Sequence, residues 1–576
     1  MAKPVSKIGQ RTGVLARHLP TLPSDAQVDM EDLYVISDRV TPNPIITLGT
    51  PSATCESCAC AGVDDLVEVE PSISMVPTSM ENETAAVFRQ PRIRSAEQYI
   101  RSVRGRSELR VYLFGERVLE FVDHPLIWPS VNAVAETYRL AQLDPDLGAA
   151  CSSLSGVQCS RFLHVTETAQ DVVKQGLMQR RLGQLTGTCF QRCVGMDAIN
   201  STFSITYEID MKHGTQYHSR FKRWVKTMQE ENFVVGGAMT DPKGDRSKPP
   251  SEQRDPDLFL RVVARPEGGG VVVRGAKMHQ TGCLNAHWLL LMPGGRLGRG
   301  ERDWAVACAV PVSSRGLTFV YGRQSCDTRA MEAGDVDQGN ARFAGQEATI
   351  VFDDVFVPEE CVFMNGETEF ASELVERFTA YHRRSYICKA GLGDVIIGAA
   401  ATVAEYNGAA KASHVKDKLV EMAFLNETIA GTSLSASFQS SQTAAGNFQP
   451  DVLMANVCKH NVTRFPYEIS RLAQDLAGGL MVTLPSDKDF RSEVTGPLLR
   501  KYLQTVPGVT VDNRRRILRL IENMTMGRNA VGYLTESLHG AGSPQAQRIL
   551  IQRLMNLEEK KDLAKSLAGI CDDPRS

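Results

Sequence analysis

The chain has 576 residues, with 64 Lys and Arg against 67 Asp and Glu for a net charge of −3, and is 42% hydrophobic and 23% charged. At roughly 150 residues per domain this length supports three or four folding units around a large core, and the balanced charge disfavours a dedicated nucleic-acid binder. The longest strongly apolar stretch, Val395 to Ala404, is bounded by Asp394 and Glu405 and reaches about half the ~20 residues a bilayer requires, so no membrane span is expected.

Residues 1 to about 90 carry prolines at 4, 20, 23, 42, 44, 51, 71 and 77 and little hydrophobic periodicity, the pattern of a disordered extension. Lys3, Lys7, Arg11 and Arg17 precede the first acidic residue, Asp25, as in an organellar presequence, although Gly9, Gly13 and Pro20 interrupt any amphipathic helix. Cys55, Cys58 and Cys60 have no second Cys/His pair at zinc-site spacing nearby. From 91 to 232 the periodicity is helical, as in AEQYIRSVRG and TAQDVVKQGLMQRRLGQ, and predicts an N-terminal α-domain. From 233 to 366 short β-branched runs such as LFLRVVAR, VVVRGAKM and ATIVFDDVFVP alternate with turn residues and predict a middle β-domain. From 367 to 576 long amphipathic segments return and predict a helical bundle. Fourteen cysteines without a signal-peptide core fit a reducing compartment. A cytoplasmic location is therefore expected, with the mitochondrial matrix as the alternative.

Several tracts could carry chemistry. Cys189 and Cys193, four apart in a stretch read as helical, place both sulfurs on one face, suited to one metal centre or simply to packing. His382 and Cys388 form a second soft pair, crowded by Tyr386 and Lys389. Pairs in separate domains meet only at an inter-domain site, where a two-plus-two set suits iron-sulfur or zinc. The tracts Met239 to Pro250 and Ala276 to Trp288 are read as polar loops beside strands, in which Thr240, His279, Gln280 and Thr281 offer donors to a flavin or simply satisfy one another. Near the C-terminus, Ser543 and Pro544 form a helix start after a glycine-rich turn, which suits an anion as well as an ordinary cap. No GxxxxGK[ST] or HExxH motif occurs, and no glycine tract follows a strand-to-helix turn.

Taken together, CFQRCVGMDA, TDPKGDR, HQTG, YGRQSCDTR, AGQEA, VERFTAYHRRSY, NGAAKASHVKDKL, TAAGNFQ, ANVCKHNVTRFPYEI, LAGGLMVTLPS and TESLHGAGSPQAQR closely resemble the 4-hydroxybutyryl-CoA dehydratase family from about Ile93 to Gly569. The resemblance implies a mainly α fold with a central β-domain, acyl-CoA dehydrogenase-like, with a middle β-barrel between an N-terminal α-domain and a C-terminal helical bundle, assembled as a homotetramer. It implies FAD and a 4Fe-4S cluster, with Cys189, Cys193, His382 and Cys388 at the cluster-ligand positions. His382, Tyr386, Lys389, Glu347 and Glu536 fall on the catalytic positions. Thr240, Lys243, Asp245, Arg246, His279, Gln280 and Thr281 fall on tracts that face the flavin and substrate. One departure is visible: only Ile387 separates Tyr386 from Cys388, one residue fewer than in the family's motif.

The implied reaction converts 4-hydroxybutyryl-CoA, or a similar short hydroxyacyl-CoA, to crotonyl-CoA, with isomerisation of vinylacetyl-CoA as a companion activity. Its difficulty is a C3–H bond with no adjacent carbonyl, far less acidic than any side chain's conjugate acid. The implied solution removes the C2 proton and one electron to give an enoxy radical, which acidifies C3 before hydroxide leaves C4. Two alternatives are a flavin-dependent aromatic monooxygenase of the 4-hydroxyphenylacetate 3-hydroxylase type and a non-catalytic relative. The first has no use for four cluster ligands. The expected partners are a short-chain acyl-CoA and further copies of the chain, with neither nucleic acid nor membrane.

Overall fold

Ser95 caps the first described helix, α1 (Ala96–Val103), by accepting from the amide of Gln98. The computed structural model describes residues 92–106 and 108–570, so the expected N-terminal extension, with its presequence-like start and CESCAC tract, lies outside the described residues. Four longer helices follow: α2 (Trp128–Leu143), α3 (Ala169–Thr186), α4 (Cys193–His213) and α5 (Tyr217–Glu231). A capping box between Thr168 and Asp171 starts α3, and Gly187, at φ +58°, stops it in the left-handed conformation that glycine adopts without a Cβ clash.

The described strands form two larger sheets and two small hairpins, one of β3 (Ala149–Cys151) with β4 (Gln158–Ser160) and one of Ser441–Gln442 with Phe448–Gln449. The first sheet uses β1 (Arg110–Leu113), β2 (Glu116–Val118), β6 (Arg261–Ala264), β7 (Val271–Thr281), β10 (Leu317–Tyr321) and β11 (Glu347–Val357), in the order β2-β1-β10-β11-β7-β6. The second uses β5 (Val235–Ala238), β8 (Trp288–Leu291), β9 (Val306–Pro311) and β12 (Val362–Asn365), in the order β12-β9-β8-β5. Every residue of β5 and β8 is buried, which explains their unbroken small and apolar runs.

The middle β-barrel of an acyl-CoA dehydrogenase-like fold is corrected here. Both larger sheets are open, because closure requires the two edge strands to pair and neither pair of edges does so. A helix covers the β5 edge instead. Gly195 of α4 and Gly237 of β5 let the two elements approach so closely that a methyl group at Gly195 would strike the Val235 carbonyl.

Beyond the sheets lie α6 (Thr368–Arg384), a 3-10 turn (Ser385–Ile387) and α7 (Cys388–Tyr406). Together they make a helical run of 39 residues that is long and apolar enough to cross a membrane. Its most apolar window is 67% buried within the protein, as expected of a core helix. Around it pack α8 (Ser413–Phe438), α9 (Val452–Val462), α10 (Phe465–Ala477) and α11 (Val511–Thr525), with Ile396, Ala400, Met422, Ile469, Leu518 and Ile521 in one buried cluster. A π-helical turn (Val531–Thr535) leads into α12 (Glu536–His539), followed by α13 (Pro544–Leu554) and α14 (Leu557–Ala568). As anticipated, Ser543 is the N-cap of α13 and Pro544 its first residue.

The crossing of α3 and α7 is built on two glycines. A Cβ at Gly391 would collide with the Arg180 carbonyl, and one at Gly183 would lie 2.5 Å from the Cys388 carbonyl. Arg180 clamps the same crossing through paired bonds to Asp394 at 3.0 and 3.1 Å. Gly391→Ala is expected to destabilise the protein by about 3 kcal/mol in denaturant titrations, although alanine is the better helix former by about 1 kcal/mol. A stabilised variant would mean that the helices part without cost.

Candidate functional site

One cavity is lined by Cys189, Gln191, Cys193, Val194, Thr281, His382, Ser385, Tyr386, Cys388 and Glu536. It draws on α4, the end of β7, the α6–α7 run and α12. The expected meeting of the two soft pairs therefore occurs in space, although local structure differs from expectation at both. Cys189 is not on a helix: Gly187 ends α3, and Gln191, at φ +70°, turns the chain before α4 begins at Cys193. The two sulfurs share the cavity through this turn rather than through helical spacing.

Cys388 reaches the cavity by a change of helix type. A continuous α-helix advances ~100° per residue, so a residue six past His382 would sit about 120° away round the axis. Ser385 (φ −60°, ψ −13°) and Ile387 (φ −55°, ψ −22°) are wound as a 3-10 turn. At ~120° per residue, three such steps bring Cys388 to within about 60° of His382. Burial, then the neighbouring Cys388 sulfur, pushes Cys193 well above the usual thiol range, while the proximity of the Cys193 thiol holds Cys388 below it. Burial, reinforced by Glu536, raises Cys189 as well.

His382 is stacked on Phe378 and held at Nδ1 by Asp197 Oδ2 at 2.8 Å, while Nε2 has no hydrogen-bond partner among the described residues. Its remaining ring nitrogen suits a metal. No three described His, Cys, Asp or Glu donors gather closely enough to hold a single ion. Three cysteines and a histidine spaced around a cavity instead suit a multi-iron centre, whose ligands stand further apart.

A carboxylate and lysine network adjoins these donors. Glu347 and Thr281 are paired across β11 and β7, and the Thr281 hydroxyl lies 2.7 and 2.9 Å from the two carboxylate oxygens. Burial, then the Glu536 charge, pushes Glu347 well above the usual carboxylate range. Lys389 donates to Glu536 Oε2 at 3.1 Å and to the Gly532 carbonyl at 2.7 Å. Burial opposes its charge, but Glu536 together with Cys388 and Cys189 outweighs burial and raises Lys389. The Tyr386 hydroxyl donates to the Glu536 carbonyl at 3.3 Å, and burial followed by Glu536 keeps the phenol protonated.

The expected flavin-facing residues are less uniformly placed. The HQTG tract is not a loop but the end of β7, where Met278 and His279 together oppose Thr349 of β11 in a bulge and His279 takes φ +56°. That bulge aims Thr281 into the cavity. The Gln280 amide folds back onto the carbonyls of Met278 and Thr240. Lys243, Asp245 and Arg246 are exposed, and Asp245 accepts from Ser247 in its own turn. After burial, the charges of Lys243 and His539 depress His279, which shows these three groups gathered. Two residues escaped the sequence reading. Asp197 lies one helical turn past Cys193. Lys459 is fully buried with its ammonium 4.2 Å above the Tyr386 ring, and burial, then Lys389, lowers it to about 7. The fourfold spacing CFQRCVGMD could have flagged Asp197; nothing local marks Lys459.

Residues 95–364 match the family profile described as 4-hydroxyphenylacetate 3-hydroxylase N terminal, and residues 371–569 match its C-terminal counterpart. The 4-hydroxybutyryl-CoA dehydratase/vinylacetyl-CoA-Δ-isomerase of Clostridium aminobutyricum is 55% identical over 489 residues, 83% of this chain and 99% of that protein. A solved oxygen-tolerant archaeal 4-hydroxybutyryl-CoA dehydratase from N. maritimus is 65% identical, with a TM-score of 0.82 over 84% of this chain and 96% of that one. The oxygenase component of 4-hydroxyphenylacetate 3-monooxygenase, solved with FAD and 4-hydroxyphenylacetate, shares the fold at 23% identity and a TM-score of 0.72, covering 82% and 98%. The expected acyl-CoA dehydrogenase-like fold class therefore gives way to the fold of the dehydratase and the oxygenase.

Proposed function

The chain belongs to the 4-hydroxyphenylacetate 3-hydroxylase family on its 4-hydroxybutyryl-CoA dehydratase side, and on that premise we propose that it dehydrates 4-hydroxybutyryl-CoA to crotonyl-CoA and isomerises vinylacetyl-CoA. The observation that carries this reading is the convergence of Cys189, Cys193, Cys388 and His382 on the cavity that also holds Tyr386 and Glu536. An aromatic monooxygenase has no use for such a donor set. The four residues supply the thiolate and imidazole donors that a 4Fe-4S cluster takes, and all four line one cavity. Thr281, His279 and Lys243 offer the donors that a flavin's carbonyls and phosphates accept. When bound, FAD supplies one-electron redox chemistry and the cluster a Lewis-acidic iron.

The chain's own groups then divide the remaining work. Glu347, held toward its protonated form, exchanges a proton at a carboxylate oxygen with the acyl chain's carbon, and Thr281 fixes its orientation. Tyr386 stays protonated and serves as a hydrogen-bond donor rather than a base. Lys389 keeps its charge, anchors Glu536 and the Gly532 carbonyl, and so offsets negative charge gathered around the cavity. Burial of Thr281, Tyr386 and Lys389 limits the water around the proton transfers.

Anaerobically purified protein is expected to be brown, with about four iron atoms and one FAD per chain, by metal analysis and the visible spectrum. A yellow, iron-free protein from an iron-replete anaerobic host would overturn the reading in favour of the monooxygenase. Association into a homotetramer belongs to the same proposal. Helix α14 buries none of its residues within the chain, and it leaves Leu563 and Leu567 exposed, as α8 leaves Val420 and Phe424. Light scattering at micromolar concentration is expected to give four times the chain mass; a monomer would refute the assembly.

A further inference from the structure

Asp197 stands four residues past Cys193 on α4 and is fully buried. Its two oxygens are divided between two neighbouring groups of the C-terminal run. Oδ2 lies 2.8 Å from His382 Nδ1, and Oδ1 accepts from the Ser385 hydroxyl at 3.0 Å. The nearest cation, the fully buried Arg384, is 4.0 Å away and is itself directed toward Gln175 and Gln179. One carboxylate thus joins the helix that bears Cys193, the ring of His382 and the first residue of the 3-10 turn that orients Cys388.

We propose that Asp197 is a positioning residue that sets two cluster ligands at once, fixing the His382 tautomer through one oxygen and the winding of the turn before Cys388 through the other. This rests on the cluster assignment made above. With Nδ1 turned to Asp197 Oδ2 and donating to it, the ring faces the cavity with Nε2, whose lone pair is then the one left for metal. The Ser385 bond holds the first residue of the turn against α4, where loss of the 3-10 winding would rotate Cys388 away from His382 by about 60°.

The test compares Asp197→Asn and Ser385→Ala with the unaltered enzyme, all purified without oxygen. It measures iron per chain, the rate of iron release to a ferrous chelator, the EPR spectrum of the reduced cluster, FAD content and thermal midpoint. Asparagine keeps the shape of aspartate but has one accepting oxygen. It must either turn its amide toward Nδ1, moving the ring proton to Nε2, or leave Ser385 without an acceptor. Iron release is expected to quicken about 10-fold to 100-fold in Asp197→Asn, the usual effect of losing a partner of a metal ligand, with an altered EPR spectrum. Ser385→Ala should quicken it several-fold, with FAD content and thermal midpoint near those of the unaltered enzyme. If Asp197→Asn fails to fold, Ser385→Ala decides alone, and an unchanged release rate refutes the proposal. Unchanged release and EPR in a folded Asp197→Asn refute it as well. Iron-free unaltered enzyme defeats the cluster assignment first and takes this proposal with it, a result distinct from loaded enzyme with indifferent variants.

Discussion

Cys193→Ala should strip iron from the protein and lower dehydratase turnover by about 1,000-fold or more, while FAD and the folded state survive. Cys193 is the first residue of α4, where the positive end of the helix dipole favours a thiolate, yet burial and Cys388 keep the free thiol protonated. A cation in the cavity resolves that opposition by replacing the proton. As a packing residue Cys193 matters far less. It touches a small cluster with Leu140, Phe162 and Met178, and trimming its sulfur should cost about 1 kcal/mol. The two roles separate cleanly. A ligand loses iron and activity at nearly constant thermal midpoint, and removing one member of a catalytic unit commonly abolishes most of the rate. A core cysteine loses a little stability and keeps both, and that outcome would withdraw the ligand assignment.

Glu347→Gln should lower kcat about 100-fold to 10,000-fold with little change in KM, the range expected when a positioned acid or base is removed. The same variant should be more stable than the parent at alkaline pH. Burial and Glu536 raise Glu347 above its ordinary 4.5, so the folded state favours the protonated carboxyl. That contribution is fully present below pH 4.5 and is lost as pH rises through the raised folded value. Glutamine resembles the protonated form at every pH and can still accept from Thr281. Its guanidinium midpoint should match the parent's near pH 5 and exceed it increasingly toward pH 8, by up to ~1.4 kcal/mol per pH unit within the window. Equal midpoints at both pH values would show that the folded state does not hold the extra proton. Stability gained at the expense of turnover is what a strained catalytic carboxylate predicts.

The sequence conveyed the succession of helices, strands and helices because periods of 3.6 and 2 are local properties, visible in a window of a dozen residues. The donor set came from the family resemblance, because by chemistry alone a CxxxC pair and a His near a Cys read as packing. The sequence did not convey how these donors meet. Cys189 was read onto a helix because no propensity reveals that Gly187 and Gln191 break it with two positive φ angles. The HQTG tract looked like a loop because its polar residues hide a strand whose other partner is the Glu347 strand, 66 residues on. The sheets' failure to close was equally invisible, since it depends on α4 covering β5 across two glycines. Asp197 and Lys459 lay beyond reach for the same reason. The significance of Asp197 comes from a bond spanning 185 residues, and that of Lys459 from burial against Tyr386.

The 3-10 turn before Cys388 bears on how this site tolerates change over evolutionary time. Deleting one residue from a helix normally turns every later side chain by about a quarter of a revolution or more, which would carry the glycine face of α7 off α3 along with the cysteine. A switch of winding over three residues recovers much of that phase without a compensating insertion elsewhere. Between His382 and Cys388, winding as well as residue count therefore decides whether the two donors face one cavity. A search that demands a fixed interval between histidine and cysteine would pass over chains like this one, whereas a search for helical phase would find them.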